Sequence, residues 1–139
     1  MNKYLELHER QQAEVNAFPM FFAFNSRQFE EGMRSLGLQP GDTDKIYKLG
    51  NTGGFYRKSD SEAFHAMFTR HSKEMEDAIE ADPTGDGFIF DMFSYELANH
   101  EYGYTHDPEP TLRCLGLTMD MVKADARLLH GWQKATRYR

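Results

Sequence analysis

The chain has 139 residues, 40% of them hydrophobic, 14% aromatic and 27% charged, with a formal charge of −6. That length can bury a sizeable core, and that composition excludes an intrinsically disordered chain. The longest apolar run, residues 17–24, is interrupted by Pro19 and is far too short to cross a bilayer. Cys114 is the lone cysteine, which excludes an internal disulfide framework and fits a reducing compartment. The N-terminal residues carry charge from the start and offer no signal-peptide core, so a cytoplasmic protein without membrane association is expected.

Residues 3–16 have helical spacing, with Tyr4, Leu7, His8 and Val15 near one face, and Pro19 ends the helix. Residues 20–24 form an aromatic run that reads as a strand buried on both faces. Asn25 or Ser26 can cap a second helix through Phe29, Met33 and Leu36, with Gly37 past its end. Residues 45–49 and 55–58, joined by a glycine-rich stretch, predict a hairpin. Ser59 and Glu62 have capping-box spacing and open a third helix, whose apolar stripe is Phe64, Met67, Phe68, Met75, Ala78 and Ile79, with His71 within it.

After a turn at residues 82–87, residues 88–102 are apolar nearly all round, which predicts a central fourth helix. Pro108 and Pro110 precede a short helix closed by Gly116, and Thr118 caps a last helix reaching about residue 136. Arg-x-Leu-Gly-Leu occurs at Arg34 and again at Arg113, which reads as helix-ending chemistry used twice. The expected fold is a single α+β domain with a short, about three-stranded antiparallel sheet packed among five or six helices.

Charge supplies the strongest signal. Residues 74–112 contain no lysine or arginine but eleven acids, whereas residues 111–139 carry six bases against Asp120 and Asp125. An acidic surface selects a basic partner and repels nucleic acid, so direct nucleic-acid binding is not expected. The clearest partner-binding candidates are Glu74, Glu76, Asp77, Glu80 and Asp82, on or beyond the polar side of the third helix. Solubility alone is the competing reading of such a run.

Residues 82–89 reproduce calcium-loop positions one, three, five and six, but position twelve, which needs a bidentate carboxylate, is Phe93. A turn built from turn-favouring residues explains the stretch without calcium. Glu96 and His100 share a helix face, and an antiparallel pairing of the third and fourth helices would bring His71 to them as a three-ligand zinc set. The competing reading, favoured here, is hydrogen bonding of Glu96 and His100 inside the core. The glycine loop at residues 50–54 lacks a phosphate-loop pattern, and the bases of the last helix, Lys123, Arg127, His130, Lys134 and Arg137, read as a solvated or intramolecular stripe. Cys114 reads as a small core residue, and no serine sits in a nucleophile elbow, so no catalytic residue and no cofactor are assigned.

Residues 21–24, 44–47 and 56–60, and above all residues 96–102 followed by 115–118, resemble short uncharacterised proteins of phages and mobile elements of gut bacteria. The resemblance implies a genomic setting and no catalytic residue. Together with the charge run it leads to the expectation of a non-enzymatic binding protein engaging a basic host protein, such as one that handles nucleic acid, in a counter-defence or regulatory role. The alternative is a small metal-binding domain or metal-dependent enzyme using Glu96 and His100.

Overall fold

The computed structural model describes residues 1–137 and 139. It is an α+β fold with eight α-helices and one three-stranded antiparallel sheet among the described residues. The chain divides into two compact units, residues 13–72 and residues 1–12 with 73–139. Two helices, α1 (Lys3–Ala17) and α3 (Ser61–Glu80), contribute residues to both. Among the described residues, no helix is long and apolar enough to cross a membrane.

The unit of residues 13–72 holds β1 (Met20–Phe22), α2 (Ser26–Ser35) and the hairpin β2 (Ile46–Leu49) with β3 (Gly54–Arg57). The strand order is β1-β3-β2, so β1 is an edge. Its side chains alternate between faces. Phe21 turns inward onto α2 and stacks on Phe55 with ring centroids 5.3 Å apart, whereas Phe22 is 54% exposed. The strand expected to be buried on both faces is therefore a half-buried edge strand, and the continuous apolar run misled because its outward residues have no layer above them. Gly32 lets α2 come down on Phe21: a Cβ there would lie 2.0 Å from the ring.

Asn25 caps α2 by accepting from the Gln28 N–H, and Gly37 closes the helix at φ +76°. The Leu38 N–H returns to the Met33 carbonyl and the Gly37 N–H to the Arg34 carbonyl, the paired bonds of a Schellman ending. The same pair recurs after α6 (Glu109–Cys114), from Leu117 to Leu112 and from Gly116 to Arg113. The repeated Arg-x-Leu-Gly-Leu is thus one terminator used twice.

The other unit is built on α4 (Phe88–Asn99), whose Ile89, Phe93 and Leu97 have no exposed surface. Against it packs α8 (Ala126–Thr136), where Gly131 permits close approach because a Cβ would lie 2.6 Å from Ile89 Cγ2. Helix α4 stops three residues earlier than residue 102 because Glu101 adopts a left-handed conformation, φ +56°, and residues Tyr102–Thr105 form a separate turn, α5. The predicted last helix is likewise two, α7 (Met119–Ala124) and α8, because Asp125 is extended and its side chain accepts from the Arg127 and Leu128 N–H groups. A side chain that caps a new helix start competes with continuing the old helix. Two such interruptions raise the count above the expected five or six.

Candidate metal centre

Glu96 lies in the middle of α4, among residues that are apolar nearly all round, and is only 2% exposed. A carboxylate so placed requires donors. The Tyr4 hydroxyl of α1 donates to Oε2 at 2.6 Å, the Asn99 amide to Oε1 at 3.2 Å, and the Cys114 thiol to Oε2 at 3.4 Å. Thr111, one turn before Cys114 on α6, donates its hydroxyl to the Glu96 carbonyl at 3.4 Å. Residues three apart share a helix face, so α6 meets α4 with Thr111 and Cys114 together.

His100, one turn beyond Glu96, is the C-terminal cap of α4. Its Nε2 is 4.0 Å from Glu96 Oε1, buried and without a hydrogen-bond partner. The left-handed Glu101 turns the chain immediately after it. A non-glycine residue there is uncommon and costs roughly 1 kcal/mol or more, which the surrounding contacts hold in place.

Glu96, His100 and Cys114 thus offer a carboxylate oxygen, an imidazole nitrogen and a sulfur, all within 4.8 Å of one another. Zinc bonded to such donors at about 2.0–2.3 Å holds its ligand atoms roughly 3.3–3.7 Å apart, so the group needs to close by about 1 Å. Burial, then the Glu96 charge and hydrogen bond, push the Cys114 thiol up to about 11. Burial and the hydrogen bond to Glu96 likewise push the Tyr4 phenol well above its ordinary range. The sulfur is therefore a protonated donor and a poor free nucleophile; a divalent cation in place of that proton would compensate Glu96 and stabilise the thiolate.

This triad differs from the alternative set of His71, Glu96 and His100, and the favoured hydrogen bond between Glu96 and His100 is not formed, since Nε2 stands 4.0 Å from Oε1. His71 belongs to the unit of residues 13–72, where it is 7% exposed and its Nε2 lies 3.4 Å from Glu14 Oε1. Its place is taken by Cys114, which is exposed instead of a small core residue. The stop at Gly116 puts Cys114 on the same helix face as Thr111, but only the tertiary contacts show that this face turns to α4.

Of the five acids expected to meet a partner, Glu76, Asp77 and Glu80 are exposed on α3. Asp77 pairs with Lys73, and Glu80 lies 3.5 Å from Arg127. Glu74 is half-buried and bonds Arg10 at 3.1 Å and Gln11 at 3.2 Å. Asp82 is not on the surface at all: it is 5% exposed and accepts the N–H groups of Thr84, Gly85, Gly87 and Ile89 at 2.9–3.2 Å. Burial works to raise its pKa, but these four donors outweigh it and hold the carboxyl below the usual range. The turn reading of residues 82–87 therefore holds, since the carboxylate at calcium position one serves the loop's own backbone.

Three bases of the expected stripe, Arg127, His130 and Lys134, are engaged within the protein. Arg127 Nη1 donates to the carbonyls of Ile79 and Asp82 at 3.0 and 2.8 Å, and His130 and Lys134 both reach Asp86, at 2.8 and 3.1 Å. The glycine loop is a hairpin turn, with Gly50 and Gly53 at positive φ and the Thr52 hydroxyl donating to the Leu49 carbonyl.

Compared with known proteins, residues 3–138 match a family of unknown function (DUF7659). No curated protein and no solved structure matches the chain.

Proposed function

We propose that this chain, which belongs to the DUF7659 family, is a small metal-binding protein that holds one transition-metal ion between Glu96, His100 and Cys114. One observation carries the reading: three donors of different chemistry converge from α4 and the end of α6, and one of them is a buried imidazole nitrogen without a hydrogen-bond partner. Sulfur and imidazole beside a single carboxylate suit zinc better than magnesium or calcium, which prefer all-oxygen shells. Zinc titration against a chromophoric chelator should give one ion per chain. His100→Ala and Cys114→Ser should each weaken binding at least about tenfold. Equal affinity in wild type and both variants would remove the site.

A second reading rests on the exposed Glu76, Asp77 and Glu80 of α3. Exposed ion pairs such as those with Lys73 and Arg127 are weak and exchange readily, so this face can still attract a basic partner. In that reading the partner is a basic host protein that handles nucleic acid, met in the cytoplasm by a protein of phage or mobile-element origin with a counter-defence or regulatory role. Capture from host lysate at low but not high salt, lost when Glu76, Asp77 and Glu80 are reversed to lysine, is the expected result. Capture that ignores both salt and the triple reversal rules this face out.

A further inference from the structure

The geometry points to an open coordination position on the ion held by Glu96, His100 and Cys114, filled by water and available to a small anion or a neutral nitrogen donor. The inference rests on the metal-binding reading above and says what kind of centre it is. Among the described residues the donor group has three members, while zinc and cobalt(II) in such sites take four ligands. The polar side chains nearest the centre are already committed. Tyr4 Oη and Asn99 Nδ2 point their protons at the two oxygens of Glu96, and Thr111 Oγ1 points its proton at the Glu96 carbonyl. They fix the carboxylate as outer supports of the ion and do not compete to ligate it.

Exposure sets where the opening lies. Glu96 is 2% exposed, the His100 side chain 27%, and Cys114 belongs to the exposed residues. An ion between them is walled on the α4 side, where Glu96 is buried, and has its way out beside the exposed residue Cys114. Structural zinc sites are closed by four protein donors, and sites with three keep a place for water or substrate. The present set has the second arrangement, which leaves the fourth place to water or an added ligand.

Cobalt(II) titration of the full chain, followed by azide or imidazole, tests this. Cobalt should give visible ligand-field bands and a near-ultraviolet thiolate charge-transfer band that Cys114→Ser abolishes. Either added ligand should then shift the ligand-field bands saturably, one per cobalt, while the thiolate band persists. Bands that stay unchanged at saturating azide and imidazole would overturn the open position but leave the metal reading standing. Loss of the thiolate band on ligand addition would also overturn it, because the newcomer would then replace Cys114. A chain that gives no cobalt spectrum overturns both the centre and its open position.

Discussion

Tyr4 and Glu96 are 92 positions apart, yet the phenol donates to the carboxylate at 2.6 Å and both residues are buried. The bond joins the first turn of α1 to the middle of α4. It is the shortest of the three hydrogen bonds that satisfy Glu96, and it fixes Oε2 while leaving Oε1 on the side of His100.

Replacing Tyr4 by Phe keeps the ring against Phe88 and Tyr95 but removes this donor. Leaving a buried carboxylate short of a partner costs about 1–3 kcal/mol. Urea unfolding should show a lower midpoint with an unchanged slope. A midpoint equal to wild type would mean that Asn99 and Cys114 suffice.

Cys114 should react slowly despite its exposure. With its thiol pushed up to about 11, against about 8.5 for a free cysteine, the thiolate fraction at neutral pH falls by roughly two orders of magnitude. Iodoacetamide labelling of the metal-free protein should be slower than that of a model thiol by a similar factor and should accelerate in Glu96→Gln. Labelling at the rate of the model thiol would show that neither burial nor the Glu96 charge holds the thiol protonated.

Asp82→Asn should destabilise the protein by about 1–3 kcal/mol at neutral pH, because one neutral carbonyl replaces two charged oxygens that accept four N–H groups. The folded pKa lies below the unfolded value of about 3.9. The stabilisation is therefore complete above that value and disappears as pH falls through the folded one. The Tm gap between wild type and variant should be constant above about pH 5 and narrow below about pH 4. Added calcium should leave both melting temperatures unchanged.

Gly32→Ala reverses an ordinary expectation. Inside a helix the change stabilises by roughly 0.5–1 kcal/mol. Here the new methyl would sit 2.0 Å from Phe21 Cδ1, so repacking should make the variant less stable by about 1–3 kcal/mol. Pairing it with Phe21→Leu should recover part of that loss, and thermal melts of the single and double variants decide the point.

Much of this architecture could be read from local residue chemistry. Asn25, Gly37, Gly116 and Thr118 marked real helix ends, and the hairpin at β2 and β3 followed from two β-prone runs around glycines. The errors came where a helix was interrupted with no glycine or proline to mark the place. Glu101 takes a glycine-like φ, and Asp125 caps a helix in the middle of what spacing presents as a continuous stripe. Two of the three donors of the candidate centre were visible as Glu96 and His100 at helical spacing. Cys114 was not, because its approach to Glu96 depends on how α6 lies on α4, which periodicity within either segment does not encode. Asp82 was misplaced for a related reason: charge argues for the surface, and only the backbone of the following loop shows why a carboxylate can stay buried.

The loop held by Asp82 also bears on the order in which the chain assembles. Its bonds span two to seven residues and close with less loss of chain freedom than a long loop, so the corner between α3 and α4 can set as soon as those residues meet. The Tyr4 bond must gather a segment of 92 residues first. Closing so long a loop is the slower step by entropy alone, which puts the sealing of Glu96 under α1 among the last events of folding. On a ribosome the contrast sharpens, because Tyr4 is synthesised before its acceptor and waits for it to emerge, while the Asp82 carboxylate has its four N–H donors within seven residues. A metal ion arriving in that interval would find Glu96 not yet covered by α1.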